Sequence, residues 1–325
     1  MKLSRYSKNP ILKSNSKLAW EAGSVFNPSV VYENKIFHML YRAVASGFKP
    51  KPGGGYTNYI SSIGYATSKD GLHFKKKPLP LIKPDRPWDK FGCEDPRVTK
   101  FRNTYYVLYT AMSKPAYSNK EIPGIALATT KDFKKIQKHG LIGPAPDQVR
   151  AKAAAIFPEK INGKIGMLFT FHPDRPDSSI LYTEFKNTSD LIRPPKNYWD
   201  KVLNNIDQYA IILPPNNSLR GPELGAPPIK TKKGWLLIYC GPAVGKKVWP
   251  IHAVLLDLKN PKKILWQSRG PILKPEKSYE KKGIVNNVTF PEGAVIKDGK
   301  LMVYYGAGDK FCCLATAPIS AFKII

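Results

Sequence analysis

An all-β fold of the five-bladed β-propeller type is predicted by three features of this 325-residue chain. Segments 29–43, 97–111, 153–171, 226–241 and 293–306 share one pattern: an apolar strand, a short polar turn, and a second strand ending in aromatic residues. Tyr41, Tyr109, Phe169, Tyr239 and Tyr305 mark equivalent places at intervals of roughly 60 to 70 residues, and a fixed period outranks any local reading of structure. No convincing amphipathic helix interrupts the pattern, so four short strands per repeat is the arrangement expected of propeller blades.

Each element follows from local chemistry. The five turns are Glu33-Asn34-Lys35, Phe101-Arg102-Asn103, Asn162-Gly163-Lys164, Thr231-Lys232-Lys233-Gly234 and Lys297-Asp298-Gly299-Lys300. Asn, Asp and Gly tolerate the left-handed backbone of tight hairpins, which makes each segment a hairpin. Further strands are expected at 62–66 before Ser68-Lys69-Asp70-Gly71, at 124–128 before Thr130-Lys131-Asp132-Phe133, and at 252–258 before Asn260-Pro261. The competing architecture is a pair of β-sandwiches. No stretch of linker composition divides the chain, so one domain over residues 1–325 is expected.

Composition narrows the class. With 42% hydrophobic residues the chain can bury a substantial core, and 30 Pro with 24 Gly suit a loop-rich all-β protein. The N-terminal residues lack the apolar run of a signal peptide, and no apolar run of about 20 residues is present to span a bilayer. A cytoplasmic protein without membrane contact is expected. Cys93, Cys240, Cys312 and Cys313 show neither metal-ligand nor disulfide spacing and read as small buried residues. No histidine has a ligand-spaced partner, so neither a metal nor another cofactor is expected. The net charge of +28 invites a nucleic-acid reading. The lysines are spread singly or in pairs along the whole chain, which instead predicts a solvated basic surface with no specific nucleic-acid site.

Acidic residues number only 24 and are therefore informative. Glu94-Asp95, Glu223, Glu292 and Asp309 lie at strand edges beside Gly or Pro, which permit tight turns and close ligand approach. Aromatic residues such as Trp249 lie near strand ends, where flat faces can hold sugar rings. His172, in Phe171-His172-Pro173-Asp174, is a further candidate for substrate contact, with a structural role as the alternative.

Several of these stretches together resemble glycoside hydrolase family 130, the β-mannoside phosphorylases and β-mannosidases. They are Asn27-Pro28, Leu40-Tyr41-Arg42, Ser68-Lys69-Asp70-Gly71, Glu94-Asp95-Pro96-Arg97-Val98, the run from Phe157 to Lys164, Pro227-Pro228-Ile229, Gly234-Trp235-Leu236 and Tyr304-Tyr305-Gly306-Ala307. The resemblance implies a five-bladed propeller, inversion at the anomeric carbon, and action on β-linked mannose. It also implies that Asp95 is the general acid, working through a sugar hydroxyl, and that Asn27, Arg42, Ser62 and Asp309 line the mannose subsite.

Against the phosphorylases of that family, Lys152 stands for an arginine, Phe171-His172 lies where a second arginine is expected, and Glu223 replaces a lysine. A carboxylate about 4 Å from a bound phosphate would cost roughly 4 kcal/mol per pair of unit charges at an effective dielectric near 20. Glu292, in Pro291-Glu292-Gly293, resembles the hydrolytic branch. These departures predict an inverting exo-β-mannosidase acting on β-mannoside oligosaccharides, β-1,2-linked ones among them, with water as the attacking group. Asp95 is then the acid, and Glu223 with Glu292 the base across the roughly 6.5 to 9.5 Å gap that inversion requires. Arg97 is expected to brace the loop rather than pair with Asp95, because a direct ion pair would hold the acid deprotonated. The alternatives are a phosphorylase using Lys152 and other lysines, and a noncatalytic carbohydrate-binding propeller. A homo-oligomer stays open.

Overall fold

The structure, a computed structural model, describes residues 2–52, 55–115, 123–245 and 247–322. The two ends of the expected 1–325 domain and the whole 116–122 stretch therefore lie outside the described residues. The fold is all-β. Its strands form a succession of four-stranded antiparallel units. The first contains Ser24–Glu33, Ile36–Val44, Ser61–Ser68 and Lys75–Lys76, and the second Gly92–Phe101, Thr104–Met112, Pro123–Thr130 and Gln137–Leu141. A single parallel pair, Ser61 with Gly92, joins these two. The third contains Ala151–Ile156, Ile165–Phe171, Ser179–Phe185 and Ala210–Ile212, and the fourth Ile229–Lys230, Trp235–Cys240, Ile251–Leu256 and Ile264–Gln267. The last combines Thr289–Lys297, Lys300–Ala307 and Phe311–Pro318 with the N-terminal strand Ser4–Arg5, which pairs Ser4 with Thr316.

The hairpins turn where their sequence permits. Asn34 and Lys35, Asn162 and Gly163, and Asp298 and Gly299 each supply two successive residues of positive φ, the backbone that matches the twist of the flanking strands. Short helices were not foreseen from sequence. Three of them, Thr188–Ile192, Tyr198–Leu203 and Ile206–Tyr209, separate the last two strands of the third unit. Asn187 starts the first by accepting a hydrogen bond from the Asp190 N–H at 2.9 Å, and Tyr198 and Trp199 pack onto the core of the third unit.

Apolar side chains fill the spaces between consecutive units. Leu40, Ile63, Val107 and Ala126 join the first to the second, and Leu108, Leu127, Met167 and Leu181 join the second to the third. Phe157, Leu168, Trp235 and Leu237 join the third to the fourth. Ile238, Leu255, Val303 and Ala315 join the fourth to the last. Val25, Met39, Tyr304 and Leu314 then pack the last against the first. Cys93, Cys240, Cys312 and Cys313 are buried and free.

One irregularity recurs. The leading strands of the first, second, third and last units carry an extra residue relative to their partners, between Phe26 and Ser29, Glu94 and Arg97, Lys152 and Ala155, and Pro291 and Gly293. In the first three, Asn27, Asp95 and Ala153 adopt φ of 51°, 50° and 54°. Such bulges break the pleat and re-aim a side chain, and here they fall where the leading strands meet a common cavity.

Candidate active site

The cavity, of about 360 Å³, is lined among others by Asn27, Arg42, Glu94, Asp95, Arg150, Lys152, Asp174, Glu223, Trp249 and Asp309. It has two charged ends and an apolar wall. At the first end the bulge at Asp95 presents its carboxylate to Asn27 and Arg42. Oδ1 accepts from Asn27 Nδ2 at 2.8 Å and from Arg42 Nη1 at 3.1 Å. The other guanidinium nitrogen of Arg42 donates to Glu94 Oε1 at 2.7 Å and to the Tyr59 hydroxyl at 3.0 Å. Ser61 Oγ donates to the same Glu94 oxygen at 2.7 Å. Arg42 also lies over the rings of Phe26 and Tyr59 at 4.9 and 5.5 Å. The charge of this buried guanidinium is thus compensated by the two carboxylates.

Behind Asp95, Arg97 braces the main chain, the role expected for it. Its Nη1 donates to the Asp95 carbonyl at 2.9 Å, its Nε to Gly225 O at 2.9 Å, and its Nη2 to Leu224 O at 2.8 Å and Glu292 Oε1 at 3.1 Å. Glu292 is fully buried, and burial pushes its carboxyl well above the ordinary range, Arg97 offsetting only part of that and the Asp95 charge adding to it. Burial also works to raise Asp95. Arg42, Lys152 and Arg97, together with the Asn27 hydrogen bond, outweigh it and hold Asp95 below the ordinary carboxylate range.

At the second end, Arg150 just before the strand Ala151–Ile156 and Lys152 within it both line the cavity. Lys152 Nζ meets Asp174 Oδ2 at 2.7 Å and Glu223 Oε2 at 3.7 Å. The Glu223 carboxylate is fully buried and is also clasped by Arg220. That arginine reaches Cys240 Sγ at 3.3 Å and lies over the Trp249 ring at 4.7 Å. Val285, Val288 and Phe290 continue the wall beside Trp249.

The structure therefore gathers Asn27, Arg42, Glu94, Asp95, Lys152, Glu223, Trp249 and Asp309 around one cavity. Ser62, His172 and Glu292 are outside its lining. Ser62 pairs with Ala43 in a strand, while its neighbour Ser61 makes the bond to Glu94. His172 bonds Asp177 at 2.6 Å and stacks on Phe171. Sequence reasoning missed Arg150, Arg220 and Asp174 as members of this region. The alternation of Arg150 with Lys152 was available as a signal; the approach of Arg220 to Glu223 across a turn was not. Among the described residues, no group of three His, Cys, Asp or Glu side chains is placed to hold a metal ion, and no helix is long and apolar enough to cross a membrane.

A polar cavity that joins carboxylates, an amide and guanidinium groups to an aromatic wall is the kind found in carbohydrate-processing enzymes. The chain belongs to glycoside hydrolase family 130, whose model, described as β-1,4-mannooligosaccharide phosphorylase, matches residues 3–323. It is 36% identical over 327 residues to a 1,2-β-oligomannan phosphorylase of Thermoanaerobacter sp., covering 99% of each chain. It is also 36% identical to a β-1,2-mannobiose phosphorylase of the same organism, over 95% of this chain and 94% of that one. The structure of a β-1,2-mannobiose phosphorylase from Listeria innocua bound to β-1,2-mannobiose superposes with a TM-score of 0.78 at 26% identity, covering 99% of this chain and 98% of that one.

These relatives overturn the expectation of hydrolysis. The physical error in it lay in treating Glu223 as an uncompensated charge. Arg220 and Lys152 neutralise it, so it does not make the cavity hostile to an anion. Glu292 lies outside the cavity lining, paired with Arg97, and burial raises its pKa well above the ordinary range.

Proposed function

We propose that the chain is an inverting β-mannoside phosphorylase acting on β-1,2-linked manno-oligosaccharides, with Asp95 as the general acid and inorganic phosphate as the attacking group. The observation that carries this reading is that Arg150 and Lys152 share the cavity with Asp95 while Glu223 beside them is already neutralised. The β-1,2 linkage follows the names of the relatives that match nearly the whole chain. We also propose that the scaffold is a five-bladed propeller forming one unit over residues 1–325; the four-stranded units and the cores that follow them round from the last to the first support this.

In this reading Asn27, Arg42 and Asp309 hold the mannose to be transferred, Glu94 fixes Arg42, and Trp249 offers a face to the leaving sugar. Phosphate, held by Arg150 and Lys152, attacks the anomeric carbon as the glycosidic C–O bond breaks. The new C–O bond gives α-mannose 1-phosphate with inversion. Asp95 supplies the proton that the leaving oxygen takes, through a sugar hydroxyl as the family resemblance implies. Arg42 and then Lys152 hold Asp95 below the ordinary carboxylate range. Phosphate bound at that lysine offsets its charge and raises the affinity of Asp95 for a proton, so the acid is loaded when the attacking group is present.

The test is to incubate β-1,2-mannobiose with the protein with and without phosphate. Mannose 1-phosphate forming only when phosphate is present supports the reading; free mannose released equally in both mixtures refutes it.

A further inference from the structure

We propose that Asp174 is a built-in competitor of phosphate: its carboxylate pairs with Lys152 and must give up that lysine when phosphate binds. This inference rests on the phosphorolysis reading and concerns what sets the affinity of that site for its anion.

The geometry separates Asp174 from the other carboxylate beside Lys152. Glu223 is fully buried, is clasped by Arg220, and lies 3.7 Å from the lysine. Asp174 makes the shorter contact, 2.7 Å, yet its side chain is 45% exposed and its second oxygen is 4.0 Å from Arg220. Glu223 is therefore a fixed part of the wall, whereas Asp174 has solvent to swing into.

The loop that carries it is fastened so as to present it. His172 bonds Asp177 at 2.6 Å, and the Gly221 N–H donates to Arg175 O at 2.7 Å. The Asp174 N–H donates to Glu223 Oε1 at 3.3 Å, and Asp174 itself adopts a φ of 63°. A main chain held at both sides with a half-exposed side chain between leaves rotation of that side chain as the inexpensive motion.

The chemistry supplies the competition. A carboxylate and a phosphate both offer a pair of anionic oxygens to the same ammonium and guanidinium groups. They repel each other when both are at the site. Each phosphate bound must displace the Asp174–Lys152 contact, so the observed phosphate affinity is the intrinsic one reduced by the strength of that contact.

Initial rates of mannose 1-phosphate formation from β-1,2-mannobiose, measured across a phosphate series, test this with wild type, Asp174→Asn and Asp174→Gly. Glycine accepts the positive φ without strain. The expected result is a phosphate KM lowered roughly two- to fivefold, the range a half-exposed ion pair is worth, with the mannobiose KM unchanged. Acetate is expected to compete with phosphate more strongly in Asp174→Gly than in wild type, because it enters the place the side chain has left. A phosphate KM that is unchanged or raised in both variants overturns the proposal and makes Asp174 a support for Lys152. If wild type forms no mannose 1-phosphate at any phosphate concentration, the functional reading fails by itself. Titration of inorganic phosphate into the three proteins by calorimetry then decides the competition: tighter binding in the variants upholds it, and equal or weaker binding overturns it.

Discussion

At the Asp95 end of the cavity, Arg42 sits between Glu94 and Asp95 with the three side chains only 5%, 6% and 11% exposed, whereas at the other end Lys152 and Asp174 are 17% and 45% exposed. Both ends combine cations with carboxylates, and burial decides what the pairing does. A sealed pair cannot be broken without leaving a desolvated charge, so it fixes geometry. A half-exposed pair is worth little and exchanges readily with an incoming ion. On the proposed reading, the first end holds a neutral sugar in one orientation, and the second takes an anion that exchanges with each turnover.

The largest expected effect comes from Asp95→Asn, which keeps the hydrogen bonds from Asn27 and Arg42 but cannot give up a proton as an acid. The rate of mannose 1-phosphate formation is expected to fall about 10²- to 10⁴-fold while calorimetry still registers mannobiose binding. Retained turnover would move the acid to another group and leave the sealed end a purely binding surface.

A smaller and differently shaped change is expected from Lys152→Met, which removes the exchangeable cation and preserves the length of the side chain. The phosphate KM is expected to rise about tenfold, the loss of one charge-assisted hydrogen bond, with the mannobiose KM little altered. A rise in both constants together would show that the two ends do not act independently.

The smallest effect concerns Glu292, behind the sealed end. Its folded-state pKa lies well above the ordinary 4.5. The stability it contributes is present below pH 4.5 and is lost as pH rises toward the folded value, at most about 1.4 kcal/mol per pH unit. Glu292→Gln keeps an oxygen for Arg97 and does not titrate. Urea unfolding at pH 5 and pH 8 is expected to show a smaller loss of stability on raising the pH in the variant than in wild type. Identical losses would mean that Glu292 is ionised in the folded protein.

The five hairpins were legible in the sequence because the chemistry that makes them is local. Asn162-Gly163 and Asp298-Gly299 supply the left-handed turn residues, and alternating apolar residues on either side supply the core face. The bulges at Asn27 and Asp95 could be sensed only as an Asn-Pro and an Asp-Pro, since the extra residue is defined by the partner strand. Cavity-lining residues could be picked out where motifs carry them, as at Arg42 and Asp95. It was misread where charges are balanced across distant segments. Glu223 reads from sequence as an uncompensated charge, and its compensation comes from Arg220 around a turn and from Lys152 on another strand. Likewise Arg97 and Glu292 are 195 residues apart in sequence, a distance over which no local pattern reports who faces whom.

The strand Ser4–Arg5 has a consequence for how the molecule comes together. Ser4 pairs with Thr316, Leu3 N–H donates to Ile272 O, and Arg5 is bound by Glu280. The strand Ser4–Arg5 thus waits for a partner that lies about 300 residues further along the chain, and closing so long a loop is entropically slow to repay. The first strand of the chain and its last strand thus complete one sheet between them.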